Sequence, residues 1–224
     1  MNYNRQNKVK DIKPVQLPRY LTQLMALGES EQLDFKKEIT SVHKIAKTIV
    51  SFANVKGGTL LVGVNDDKSI SGIKTEEEKF MLQQAALHYC NPALELDFRE
   101  WVIGKKSVLE VTVPEGSTKP YYAKDEFGKW WVYIRYQDKS LLASKVILEV
   151  LKHNASENPT LIKYSSKEKA LMQYLLINQR ITIKQFCKLV NISRWRAIQI
   201  IVNLVRIGVL QAHLNDNEEY YTAL

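Results

Sequence analysis

The reading of the fold turns on Ser41 to Asp67, SVHKIAKTIVSFANVKGGTLLVGVNDD. Val42, Ile45, Ala46, Ile49, Val50 and Ala53 recur at steps of three and four, which draws one apolar face along a helix. Gly57-Gly58 predicts its end, because a left-handed cap costs glycine no Cβ clash. Thr59 to Val64 is almost continuously apolar and predicts a short strand buried on both faces. Asn65-Asp66-Asp67 then reads as a polar turn at the surface. A helix feeding a doubly covered strand is a core unit, and the flanking sequence must supply both covers.

Working outward, Tyr20 to Leu27 predicts a short helix ended by Gly28. Leu33 to Ile39 predicts a strand with Leu33 and Phe35 on one face and Asp34, Lys36 and Glu38 on the other. Thr75 and Glu78 have the spacing of a capping box for a helix through Tyr89 that packs with Phe80, Leu82 and Ala85-Ala86-Leu87. Leu94 to Ile103 and Ser107 to Val113 flank Gly104-Lys105-Lys106 as a hairpin. Lys129 to Tyr136 is rich in aromatic and β-branched residues and predicts a strand. Its adjacent Trp130 and Trp131 could stack on bases, but they must point to opposite faces, so at least one is expected in the core. A helix over Ser144 to His153 closes a unit of α+β class.

The central stretch, with Gly28 to Ile39 (GESEQLDFKKEI), resembles the Schlafen-type AlbA-like domain. The likeness is carried by Glu29, Asp34-Phe35-Lys36, Phe52-Ala53-Asn54, Gly57-Gly58 and Gly63-Val64-Asn65-Asp66, and more loosely by Lys119-Pro120-Tyr121-Tyr122 and Tyr133-Ile134-Arg135. It covers residues 28 to 151; Asp34 replaces the more usual glutamate, and Gln137 stands where many relatives have glycine. The resemblance implies a nucleic-acid-binding or regulatory protein of the kind found in bacteria. It also implies an alternative, because in ribonuclease-active Schlafens carboxylates at the places of Glu29, Asp34 and Asp66, with Asp67 an alternative to the last, hold a divalent metal. Carboxylates suit hard cations, so Mg²⁺ or Mn²⁺ would be required for a nuclease and no cofactor for a DNA-binding protein.

Asn154 to Pro159 reads as a linker, small, polar and ended by proline. The expected organisation is therefore a basic arm and short helix over 1–27, an AlbA-like domain over 28–153, a linker over 154–159 and a second domain over 160–224. In the last segment Ser165 and Glu168 cap one helix, and Thr182 caps a second that carries Phe186, Leu189 and Val190. A turn at Asn191-Ile192-Ser193 leads to a third helix, Arg194 to Ile207, and a hairpin closes the chain. This order resembles a winged helix-turn-helix domain. On the third helix, Arg196, Gln199, Asn203 and Arg206 share one face opposite Ile198, Ile201, Val202 and Val205. Arg pairs with guanine edges and Gln or Asn with adenine edges, which makes that face, with Lys184, Arg194 and Trp195 beside it, the candidate DNA-reading surface.

The chain of 224 residues carries a formal net charge of +8, which favours a polyanionic partner, double-stranded DNA before an anionic membrane surface. Nine basic residues against four acidic ones concentrate that excess in residues 160 to 224. Groove readers of this size often act as two-fold dimers, so a homodimer is an open expectation. No run of ~18 apolar residues predicts a membrane span. The first residues have no apolar signal, and the two cysteines suggest no disulfide framework, so a cytoplasmic home is the simplest expectation. The four histidines lack metal-ligand spacing, no serine stands in a GxSxG context, and the glycines at 57 and 58 follow a helix instead of opening one as a phosphate loop would.

Overall fold

The computed structural model describes residues 18–154, 165–214 and 218–224; the expected basic arm, the linker beyond residue 154 and the tip of the last hairpin lie outside the described residues. The first part of the chain runs α1 (Arg19–Leu27), β1 (Leu33–Lys36), α2 (Val42–Ala53), β2 (Gly58–Val62), α3 (Thr75–His88), β3 (Cys90–Asn91), β4 (Asp97–Ile103), β5 (Lys106–Val113), β6 (Tyr122–Lys124), β7 (Trp130–Tyr136) and β8 (Lys139–Leu142). It continues through α4 (Lys145–Asn154), α5 (Ser166–Asn178), α6 (Ile183–Val190), α7 (Arg194–Arg206), β9 (Leu210–Leu214) and β10 (Glu219–Ala223). The class is α+β, as expected.

The helix α2 and strand β2 are where the periodicity puts them. Ser41 Oγ accepts from the Lys44 N–H and caps the helix. Gly57, at φ 69°, returns its N–H to the Phe52 carbonyl, and a side chain there would strike the backbone at Val113 and Glu115. Leu60, Leu61 and Val62 have no exposed surface. Strand β2 lies in a sheet of order β1-β2-β5-β4, parallel to β1 and antiparallel to β5. Successive residues therefore serve two cores. Leu60 and Val62 pack with Ile49, Phe52 and Leu82 of α2 and α3, while Leu61 packs with Leu21 and Met25 of α1 and with Phe35. Each such side chain contributes about 1.5–3 kcal/mol by leaving water.

A second sheet, of order β3-β6-β7-β8, lies against the other side of α2. Asn54, the last residue of the FAN motif, is buried and joins the two. Its Oδ1 accepts from the Tyr121 N–H at 2.7 Å, and its Nδ2 donates to the Tyr121 and Tyr133 carbonyls at 2.9 and 2.8 Å. The amide thus supplies ladder-like bonds where the pairing of β6 with β7 ends, at backbone groups that would otherwise be buried unpaired.

Several local expectations are corrected. Thr75 and Glu78 form no capping box: Thr75 donates to Glu100 at 2.7 Å, and Glu78 accepts the Ile39 N–H at 2.8 Å. Both cap partners are used to tie α3 to its neighbours. Phe80 and Leu87 point outward at 61% and 52% exposure, and the buried residues of α3 are Leu82, Ala85 and Ala86. Burial pushes the Cys90 thiol up to about 12, which leaves it a packing residue. Helix α4 also changes sides. It is expected to close the first unit, but Val146 and Val150 join the core of the second, and α4 packs along α7.

The second unit holds α5, α6 and α7 followed by the β9–β10 hairpin. The Ser165/Glu168 capping box starts α5 and Thr182 caps α6 as predicted, with Gln185 completing a box that the sequence reading lacks, and Asn191 makes the α6–α7 turn in the left-handed region at φ 50°. Ile181, between α5 and α6, bridges Tyr221 of β10 and adds a third short extended piece beside the hairpin. Phe186, Ala197, Ile201 and Tyr221 fill the centre.

Candidate nucleic-acid interface

Helix α7 is gripped over more of its circumference than the sequence predicts. Ala197, Ile200 and Leu204 are buried together with the expected Ile198, Ile201 and Val202, because α4 adds a wall beside α6 and β9. What remains outward is the first turn. Arg194, Trp195 and Arg196 are exposed, Trp195 at 65%, and Ser193 Oγ caps the helix there by accepting the Arg196 N–H. Lys184 and Lys188 of the neighbouring α6 are exposed as well. The structure gives these five side chains no carboxylate partner among the described residues. Further along, Gln199 and Asn203 are half-buried. Arg206 turns back and donates to the His153 carbonyl at the end of α4, at 3.4 Å, which takes it out of the expected row. The predicted four-residue face is therefore shortened to its N-terminal part, where helix N–H groups and three side chains point at solvent.

The acidic trio is not assembled. Among the described residues no group of three or more His, Cys, Asp or Glu side chains converges to hold a metal ion. Asp34 is buried, and its Oδ1 takes the Arg135 guanidinium at 2.9 Å while Lys36 Nζ approaches Oδ2 at 2.5 Å. Arg135 is itself buried, donates to the Ser30 and Leu33 carbonyls, and lies with Cζ 5.0 Å above the Phe52 ring. Glu29 accepts the Phe35 N–H at 2.9 Å, and partial burial, helped by the nearby Asp34 charge, raises its pKa. Asp66 is exposed in the turn after β2, and its neighbour Asp67 closes that turn on Ser69. Asp34 is thus an internal ion pair with both oxygens engaged by cations. The residues do not fit a divalent metal site.

Arg135 and Asn54 belong to the motif of the sequence; in the fold both are buried, Arg135 bonded through Nε and Nη2 and Asn54 through Oδ1 and Nδ2. Gln137 adopts φ 54° between β7 and β8, a left-handed conformation that glycine takes without strain. The largest miss is the β6–β7 hairpin: Trp130 and Trp131 are both about two-fifths exposed, at 41% and 40%, and Phe127 at its tip is 80% exposed. Neither tryptophan is core.

The architecture is that of a two-sheet α+β domain clasped at its far end to a small helical unit with a basic face. Comparison with known families gives the class a name. The model of the Schlafen, AlbA_2 family matches residues 29–144, more than half of the chain, and the chain belongs to that family. The match stops just before α4, the helix that joins the second core. A PCI domain model matches residues 160–221. Nothing among curated proteins matches the chain. Similar solved structures include the DIP2311 protein from Corynebacterium diphtheriae, at 17% identity and a TM-score of 0.43 over 65% of this chain and 32% of that one. Another is the N-terminal domain of a putative ATP-dependent DNA helicase RecG-related protein from Nitrosomonas europaea, at 23% identity and a TM-score of 0.39 over 64% of this chain and 92% of that one. The chain spans about a third of the length of the first of these.

Proposed function

We propose that this protein binds duplex DNA through its C-terminal unit, acting as a winged helix-turn-helix, and serves as a DNA-binding regulator. One observation carries the reading: Arg194, Trp195 and Arg196 stand exposed at the start of α7 beside Lys184 and Lys188, while the rest of that helix is locked into the core. Groove-reading helices contact base edges with their N-terminal residues, and the preceding helix meets the backbone. In this arrangement Arg196 faces a base edge, Lys184 and Lys188 meet phosphates, and Gln199 is the deepest side chain able to reach the groove. The AlbA_2 unit positions the second through α4, and the +8 net charge favours association with a polyanion.

The test is a binding series on duplexes selected from a random pool. Arg196→Ala should weaken the selected sequence by about 1–3 kcal/mol and relax its preference. Lys184→Ala should weaken all sequences alike and lower the salt slope by about one. Unchanged affinity and salt dependence in both variants would overturn the reading.

A further inference from the structure

The β6–β7 hairpin exposes more aromatic surface than a hairpin needs. Trp130 and Trp131 are adjacent on β7 and so stand on opposite faces of the ribbon, with Phe127 at the tip between them. The two tryptophans are held in distinct ways, while the Phe127 ring stands free at 80% exposure. Lys124 pairs with Trp130 across the strands and sets its ammonium 5.7 Å from the ring centre. Trp131 donates its indole N–H to Asp125 Oδ2 at 2.8 Å, while Asp125 Oδ1 accepts the Phe127 and Lys129 N–H groups. The Asp125 charge is thereby engaged by three donors of the same turn, one of which fixes Trp131. His43, at the start of α2, contacts the Lys124 carbonyl at 3.1 Å, and Lys47 lies 5.6 Å from the Tyr133 ring further along the strand. The result is a ribbon end that exposes the rings of Phe127, Trp130 and Trp131, with Lys124 over Trp130, Lys129 next to it in the chain, Lys47 further along at Tyr133, and Glu126 as the one exposed acid of the turn.

We infer that this hairpin end is a stacking platform for unpaired bases of single-stranded nucleic acid, separate from the basic face of α7. The chemistry is specific to that occupant. Bases in a duplex are stacked on one another and offer no face, whereas unpaired bases stack on aromatic rings, and lysines beside the rings follow the phosphates. A protein with both surfaces would hold a duplex on one and a displaced or unpaired strand on the other.

Fluorescence anisotropy of the full chain with a labelled oligo(dT), a labelled oligo(U) and a labelled duplex tests this, with circular dichroism as a check of fold. Trp130→Ala and Phe127→Ala, both at exposed positions, should each weaken the single strands about tenfold and leave the duplex unchanged. Trp130→Phe should restore most of the loss, and Glu126→Lys should tighten single strands only. The relative strength of the two oligonucleotides distinguishes DNA from RNA as the source of the strand. Arg196→Ala should do the reverse, weakening the duplex and sparing single strands, so a failure of the duplex reading is seen independently. Equal affinities of wild type and Trp130→Ala for both oligonucleotides, or equal losses on single strand and duplex, would overturn the platform.

Discussion

The two units of this chain place their charged motif residues in opposite ways. In the AlbA_2 unit Asp34, Arg135 and Asn54 are turned inward and satisfied by one another and by backbone. In the C-terminal unit Arg194, Arg196, Lys184 and Lys188 are turned outward beside a largely apolar core. The difference separates two meanings of a polar residue in a recognisable motif. A buried pair makes the fold, and its loss is read in stability. An exposed row leaves stability alone, and on the proposed function its loss is read in binding.

The strongest way to break the contrast is at the buried pair. Asp34→Ala leaves the Arg135 guanidinium enclosed with no carboxylate, which should cost about 3–5 kcal/mol in denaturant unfolding. Replacing both residues by apolar ones, Asp34→Leu with Arg135→Met, should recover most of that loss, because desolvation is then no longer opposed by an unpaired charge. Arg196→Ala should shift the midpoint negligibly. If Asp34→Ala unfolds no more easily than Arg196→Ala, the inward unit is not held as described.

Asn54→Ala comes next. It removes one acceptor and two donated bonds between α2 and the second sheet, at about 1–3 kcal/mol for each buried group left unpaired. Hydrogen exchange should localise the opening to β6 and β7. Uniform loss of protection across both sheets would mean the two layers are one cooperative unit.

How far each unit was legible follows from the range of the forces involved. Helix α2, strand β2 and the caps at Ser165 and Thr182 are local, and periodicity with cap chemistry locates them from sequence. The fate of Thr75 and Glu78 was not legible, since the spacing of a capping box is also that of two side chains free to bond other elements. Likewise, nothing in the sequence around residue 146 says that α4 faces α7 rather than the sheet; an amphipathic helix states that it packs, not on what. The exposed start of α7 was legible, but the turn of Arg206 towards α4 was not, because it depends on that unforeseen packing. Trp130 and Trp131 were misjudged for a related reason: alternation assigns opposite faces, but a ribbon end extending beyond its neighbours can leave both faces wet.

Gln137 offers a gain instead of a loss. A non-glycine residue in the left-handed region costs about 1–2 kcal/mol, part of which glycine returns as unfolded-state entropy. Gln137→Gly should therefore stabilise the protein by about 0.5–1 kcal/mol without altering affinity for any nucleic acid. A drop in stability would show that the Gln137 side chain holds the β7–β8 turn in some way its backbone does not reveal.

The smallest effect is also the one that sharpens the inward unit most. Partial burial holds the Glu29 pKa above its ordinary value, so its charged form is less favoured in the folded protein than in the unfolded chain. A carboxyl with a raised folded pKa costs stability once ionised: the cost is absent below the unfolded value, grows as pH rises through the window up to the folded one, and is constant above it. Glu29→Gln should accordingly be slightly more stable than wild type at pH 7, with the advantage vanishing as pH falls to the ordinary glutamate range. The amide oxygen of glutamine can still accept the Phe35 N–H, so the geometry survives the change. A metal-binding role would give a different pattern, in which Mn²⁺ raises the melting temperature of wild type and not of Glu29→Gln. With Asp34 held by Arg135 and Lys36, Mn²⁺ is expected to shift neither melting curve.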